Sequence, residues 1–136
     1  MMKILIDTNI IIDYLADRAP FASSSEKIIE LCFDKYTEGA LTASAVTDIY
    51  YIMRKVFGRE NALRKIRLLL ETFSVVSVGK NEVLKAMDLD MPDYEDALVA
   101  VCADRINADY IVTRNIKDFK NSSVKAILPK DLLQLI

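Results

Sequence analysis

Four aspartates sit where the chain changes direction rather than along obvious solvent faces: Asp7, Asp48, Asp96 and Asp118. Asp7 ends the apolar run Ile4-Leu5-Ile6. Such a run reads as a strand buried on both faces, and its carboxyl end is where open α/β sheets bind ligands. Asp48 lies early in a helical pattern, Asp96 opens an almost wholly apolar one, and Asp118 follows a fourth strand-like segment. The chain has 136 residues and no histidine, which removes the commonest general base and zinc ligand. Two cysteines alone make a poor zinc site. Chemistry here falls to carboxylates, and carboxylates that hold a hard divalent cation are a common solution.

Each acid also has a plainer explanation. Asp93 and Asp96 fit an N-cap and third-position pair that satisfies amides at a helix start. Asp48 suits a helix N-terminus electrostatically, Asp118 suits a turn with Asn115 as its cap, and Asp88, Asp90 and Glu95 read as solvated surface. Magnitudes decide what convergence would mean. Two carboxylates ~4 Å apart repel by roughly 4 kcal/mol at an effective dielectric of 20, against a typical total stability of ~5–15 kcal/mol. If the four acids gather, protons or a cation must offset the repulsion.

The elements that would position them alternate. Asn9 is a plausible cap for a helix over Ile10–Leu15, broken by Asp17-Arg18-Ala19-Pro20. Ser23 to Ser25 suit the start of a second helix reaching about Tyr36, and Gly39 reads as the end of its turn. Residues 40–43 read as a second strand, with Ser44 capping a helix closed by Gly58. Helix over 61–73, strand over 74–78, helix over 81–87, a helix to about Ile106, strand over 110–113, strand over 124–128 and a helix from Pro129 complete the pattern. Strands alternating with helices predict a parallel sheet covered on both faces, in a single domain over 1–136. No apolar run approaches the 18 or so residues of a membrane span. Only Met1-Met2-Lys3 precedes the first strand, so no signal peptide is expected. Cys32 and Cys102 fall in apolar helical patterns as reduced core residues. A cytoplasmic protein is the expectation.

The residues then meet a known pattern. Asp7-Thr8-Asn9 after a hydrophobic strand, Ser44-Ala45-Val46-Thr47-Asp48, Glu95-Asp96-Ala97-Leu98 and Thr113-Arg114-Asn115 with Asp118-Phe119 recur in this order. The set, spanning nearly the whole chain, resembles the PIN-domain nucleases, notably the toxins of bacterial toxin–antitoxin pairs. The resemblance implies a three-layer α/β/α sandwich around a parallel sheet of about five strands. It also implies a Mg²⁺- or Mn²⁺-dependent ribonuclease, an antitoxin partner and a homodimer. Asp7, Asp48, Asp96 and Asp118 map to the acidic, metal-holding cluster, with Asn9, Thr113, Arg114 and Asn115 in support and Asp93 as a possible extra ligand. One departure is that the second acid is often glutamate, and Asp48 is one methylene shorter.

Phosphodiester hydrolysis needs a deprotonated water, stabilised phosphoryl oxygens and help for the leaving oxygen, all of which carboxylate-held ions supply. Asp7 and Asp96 suit the principal ligands, with Asp48 and Asp118 binding a second ion or positioning water. The net charge of −2 does not advertise nucleic acid, but Arg54, Lys55, Arg59, Arg64, Lys65 and Arg67 stand against the single acid Glu60. Arg114, Lys117 and Lys120 flank the proposed site. Such cations make sequence-independent phosphate contacts, or form an ordinary solvated face. Tyr50 and Tyr51 suit base stacking or core packing. Two rivals stay open: a non-catalytic PIN-like module that binds RNA or protein, and a phosphatase with Asp7 as nucleophile. The latter is weakened by Asn9, where the familiar phosphatase motif has a second aspartate. No Gly-rich phosphate loop favours a nucleotide-driven enzyme.

Overall fold

A computed structural model describes residues 1–136. Five strands, β1 (Met2–Ile6), β2 (Thr37–Thr42), β3 (Ser74–Val76), β4 (Tyr110–Val112) and β5 (Ala126–Ile127), form one sheet. Its order is β3-β2-β1-β4-β5 and every pairing is parallel. Seven α-helices accompany it: α1 (Thr8–Leu15), α2 (Ala22–Phe33), α3 (Ala43–Phe57), α4 (Arg59–Leu70), α5 (Lys80–Met87), α6 (Tyr94–Arg105) and α7 (Pro129–Leu133). A 3₁₀ turn spans Ile116–Phe119. None of these helices is long and apolar enough to cross a membrane.

The period-2 alternation of β1 divides the core. Ile4 and Ile6 face a cluster built with Ile10, Ile28, Ile49, Met53 and Leu69 from α1 to α4, closed by Leu132 of α7. Leu5 faces the other way, against Val99, Ala100 and Ala103 of α6 and Phe119. Helix α5 packs on the outer side of α6 through Ala86, Ala97 and Val101. The result is the expected α/β/α sandwich. Residues Ala97 to Ala103 are all buried, as a helix apolar all round requires.

Boundaries moved for identifiable reasons. Strand β2 begins at Thr37, three residues before the expected start, because Met2–Leu5 pairs with Thr37–Ala40. Gly39 therefore lies inside a strand rather than ending a turn. A Cβ there would stand 2.4 Å from the Phe73 ring and 2.8 Å from Cys32 Sγ. Helix α4 stops at Leu70, short of the expected Phe73, whose ring is buried against β2. Helix α2 starts at Ala22 with Phe21 at its cap position and no side-chain cap, not from Ser23–Ser25. The cap of α3 is Thr42, whose hydroxyl accepts from the Ala45 amide at 3.2 Å, not Ser44. The cap of α1 is Asp7, not Asn9. Thr42 is both the last residue of β2 and the cap of α3, and Asp7 directly follows β1, so each helix starts with no intervening loop.

Candidate active site

The strand order reverses direction beside β1: β2 and β3 lie to one side, β4 and β5 to the other. At such a switch point the loops leaving adjacent strands part and open a crevice at the carboxyl edge. Asp7 and Thr113 stand on its two sides, one residue beyond the paired Ile6 and Val112. The Asp7 amide donates to the Val112 carbonyl at 2.9 Å. One carboxylate oxygen of Asp7 accepts from the Thr8 amide at 2.8 Å, and the other accepts from the Thr113 hydroxyl at 2.8 Å. The Asn115 amide in turn donates to Thr113 Oγ1 at 3.0 Å. Asp7 is only 8% exposed. Burial raises its pKa, the Thr113 and Thr8 hydrogen bonds lower it, and the Asp93 charge raises it again.

Other acids reach the same crevice from three further elements. Helix α6 precedes β4 and so starts at the sheet's carboxyl edge. Asp93 caps it, accepting from the Asp96 amide at 3.0 Å, and Asp96 is its third residue. Burial, then the charges of Asp7, Asp93 and Asp118, push the Asp96 carboxyl up to about 7. Asp118 arrives on the 3₁₀ turn after β4. Asp48 sits in the second turn of α3 and meets Glu95. A hydrogen bond with Asp48, then burial, then the Asp48, Asp93 and Asp7 charges push Glu95 up to about 7. These six carboxyl groups are thus linked electrostatically through Asp7, Asp93, Asp96 and Glu95.

Arg114 behaves differently from a free phosphate contact. Its Nε and Nη2 donate to the two oxygens of Asp13 at 2.7 and 3.3 Å, and Asp13 is fully buried. The guanidinium lies 4.1 Å from the centre of the Phe21 ring. Lys117 and Lys120 share a surface depression with Asp118. On α3, Tyr50 packs against the core and Tyr51 is exposed, with ring centres 5.2 Å apart. Of the basic residues between 54 and 67, none is in an ion pair, and Lys65 lies over the Phe57 ring.

As the side chains stand, no three carboxylates converge on a point where they could hold an ion together. The donor set nonetheless suits a hard cation: carboxyls of Asp7 and Asp96 whose pKa is raised by burial and then by neighbouring acids, and no nitrogen or sulfur ligand. The side-chain oxygen of Asn9, two residues beyond Asp7, is buried with no hydrogen-bond partner. An orphaned oxygen of this kind calls for a partner.

The sequence matches the PIN domain family over residues 3–117. The chain belongs to the PIN domain family. It is 23% identical to Ribonuclease VapC1 of Aquifex aeolicus over 137 residues, covering 97% of this chain and 94% of the relative. The fold matches VapBC2 of Rickettsia felis, bound to a promoter DNA fragment, with a TM-score of 0.73, 20% identity and coverage of 93% and 98%. It also matches DNA-bound VapBC of Salmonella typhimurium, with a TM-score of 0.72, 14% identity and coverage of 95% and 99%.

In this PIN domain the four aspartates singled out from sequence share one edge of the sheet with Asn9, Thr113 and Asn115. Two participants escaped sequence reading. Glu95 read as solvated surface and is exposed, but the influence of Asp48 that raises its pKa was not anticipated. Asp13, which drew no separate reading inside the helix expected over Ile10–Leu15, holds Arg114. A full turn of helix separates Asp13 from Asn9, and a buried acid inside Ile10-Ile11-Ile12-Asp13 was the available signal.

Proposed function

We propose that this PIN domain is a divalent-metal-dependent endoribonuclease, the toxin of a toxin–antitoxin pair acting in the cytoplasm. The observation that supports the proposal is a buried Asp7, bonded to Thr113 at the β1–β4 edge, with the charges of Asp93 and Asp96 acting on the same site. A divalent cation would offset the repulsion within such a cluster and favour the charged form of Asp96. The names of the relatives, a ribonuclease and toxin–antitoxin complexes, support the substrate and partner classes. A cognate antitoxin and a homodimer belong to the same reading, as does a single nuclease domain over 1–136.

Asp7 and Asp96 would hold Mg²⁺ or Mn²⁺, with Asp118 and Asp48 in a second position or on water and Asp93 as an auxiliary oxygen. Such an ion, when bound, acidifies water and neutralises charge on the phosphoryl oxygens. The chain's own share is positional. Thr113 and the Thr8 amide fix both oxygens of Asp7, so the carboxylate needs little reorganisation. The Glu95 carboxyl, raised to about 7 beside Asp48, can take up a proton from attacking water. Lys117 and Lys120 draw the phosphate backbone toward an acidic crevice.

The test is cleavage of RNA with Mg²⁺ or Mn²⁺, lost in Asp7→Asn and Asp96→Asn while both variants remain folded. Equal cleavage in excess EDTA would overturn metal dependence. RNA binding without cleavage under any divalent ion would favour a non-catalytic module. That second reading draws on one observation: no three carboxylates converge on a common point as the side chains stand.

A further inference from the structure

A second cavity, of about 410 Å³, opens between the start of α2 and the start of α7. Ser24, Ser25, Arg114, Asn115 and Lys130 supply its polar lining, Phe21 forms part of its wall, and no carboxylate lines it. That is notable in a chain with 20 acidic and 18 basic residues, beside a site made of carboxylates. Asp13 engages Nε and Nη2 of Arg114 and leaves Nη1 without a partner in the chain. Lys130 is exposed and in no ion pair. Ser25 is fully buried and its hydroxyl lacks a hydrogen-bond partner. The first turn of α2, which lines the same cavity, has no side-chain cap. Phe21 keeps 39% of its surface open, with Arg114 Cζ 4.1 Å from the ring centre. Through Asn115 the cavity adjoins Thr113 and hence Asp7.

We infer that this cavity takes one nucleotide of the RNA strand beside the scissile phosphate, which rests on the ribonuclease reading above. Its phosphate would meet Arg114 Nη1 and Lys130, and its base would lie against Phe21. Cations beside an aromatic platform are the usual means of holding single-stranded nucleic acid, and the volume suits a ligand of nucleotide size. An acidic peptide would meet the same cations but leave the ring unused.

The experiment has two arms. In EDTA, uridine 5′-monophosphate is titrated into the isotope-labelled chain and followed by NMR, beside inorganic phosphate and an oligoglutamate peptide. The nucleotide is expected to shift the Ser24, Asn115 and Lys130 amides, more tightly than phosphate. Binding should weaken roughly fivefold in Lys130→Ala and vanish in Ser24→Glu. In RNA cleavage, Lys130→Ala should raise KM roughly fivefold and Ser24→Glu by more, with kcat nearly unchanged in both. Lys130→Ala should also flatten the slope of log KM against log salt by about 0.7, because one fewer phosphate is neutralised. Absent shifts, equal binding of phosphate alone, or preference for the peptide would overturn the nucleotide assignment. Native cleavage unaltered in both variants would overturn the subsite alone. No cleavage by the native chain would overturn the ribonuclease reading and this strand assignment with it.

Discussion

Asp96 combines two demands that pull against each other. Its carboxyl is half-buried beside Asp7, Asp93 and Asp118 and is pushed up to about 7, so the charged form is destabilised in the metal-free fold. Asp96→Asn removes that repulsion while keeping the shape. The expected outcome at pH 8 without metal is a melting temperature higher by about 3–5 °C, near 1 kcal/mol, and RNA cleavage lower by at least about 100-fold. Calorimetry and a cleavage assay on the same preparation check both. Asp13 is the opposite case. It is fully buried and doubly bonded to Arg114, so Asp13→Ala leaves a cation without its partner and is expected to cost about 3 kcal/mol in urea unfolding. The four aspartates were legible because each sits at an element junction, next to or just past an apolar segment. The Asp13–Arg114 and Asp48–Glu95 pairs were not, since 101 and 47 positions separate the partners and nothing local couples them.

Among the elements, β2 shows where sequence patterning stops. Thr37-Glu38-Gly39 looks like a turn, and only the parallel neighbour Met2–Leu5 makes it a strand. Gly39 is needed there because the Phe73 ring and Cys32 Sγ occupy the space of a Cβ. Gly39→Ala is expected to destabilise by about 2 kcal/mol. Adding Phe73→Leu should recover part of that loss, measured as non-additivity in a double-mutant cycle. Thr42→Ala removes the α3 cap and is expected to cost about 1 kcal/mol. The long buried helix α6 was readable almost to the residue, since seven consecutive apolar positions admit no solvent face. Caps were less readable, because Thr42 and Ser44, or Asp7 and Asn9, are equally good caps until the strand ends are known.

For the molecule as a whole, the raised pKa values of Asp96 and Glu95 set a sign. Between the unfolded carboxylate range near 4 and the folded value of about 7, the native state binds more protons than the unfolded chain. Metal-free stability therefore falls as pH rises through that window. A cation competes with those protons, so 5 mM Mn²⁺ is expected to raise the melting temperature clearly at pH 8 and little at pH 5. A metal effect equal at both pH values would count against carboxylate ligation. The layered architecture followed from alternation alone, whereas the strand order, and with it the crevice between β1 and β4, depends on which neighbours pair.

The outermost strands, β3 and β5, hold three and two residues. Margins this brief give a passing extended segment almost nothing to zip onto, and so guard against fibrillar growth and strand exchange between copies. Any self-association of this domain must then run through helix side chains, where a point change can tune it without touching the sheet that holds Asp7.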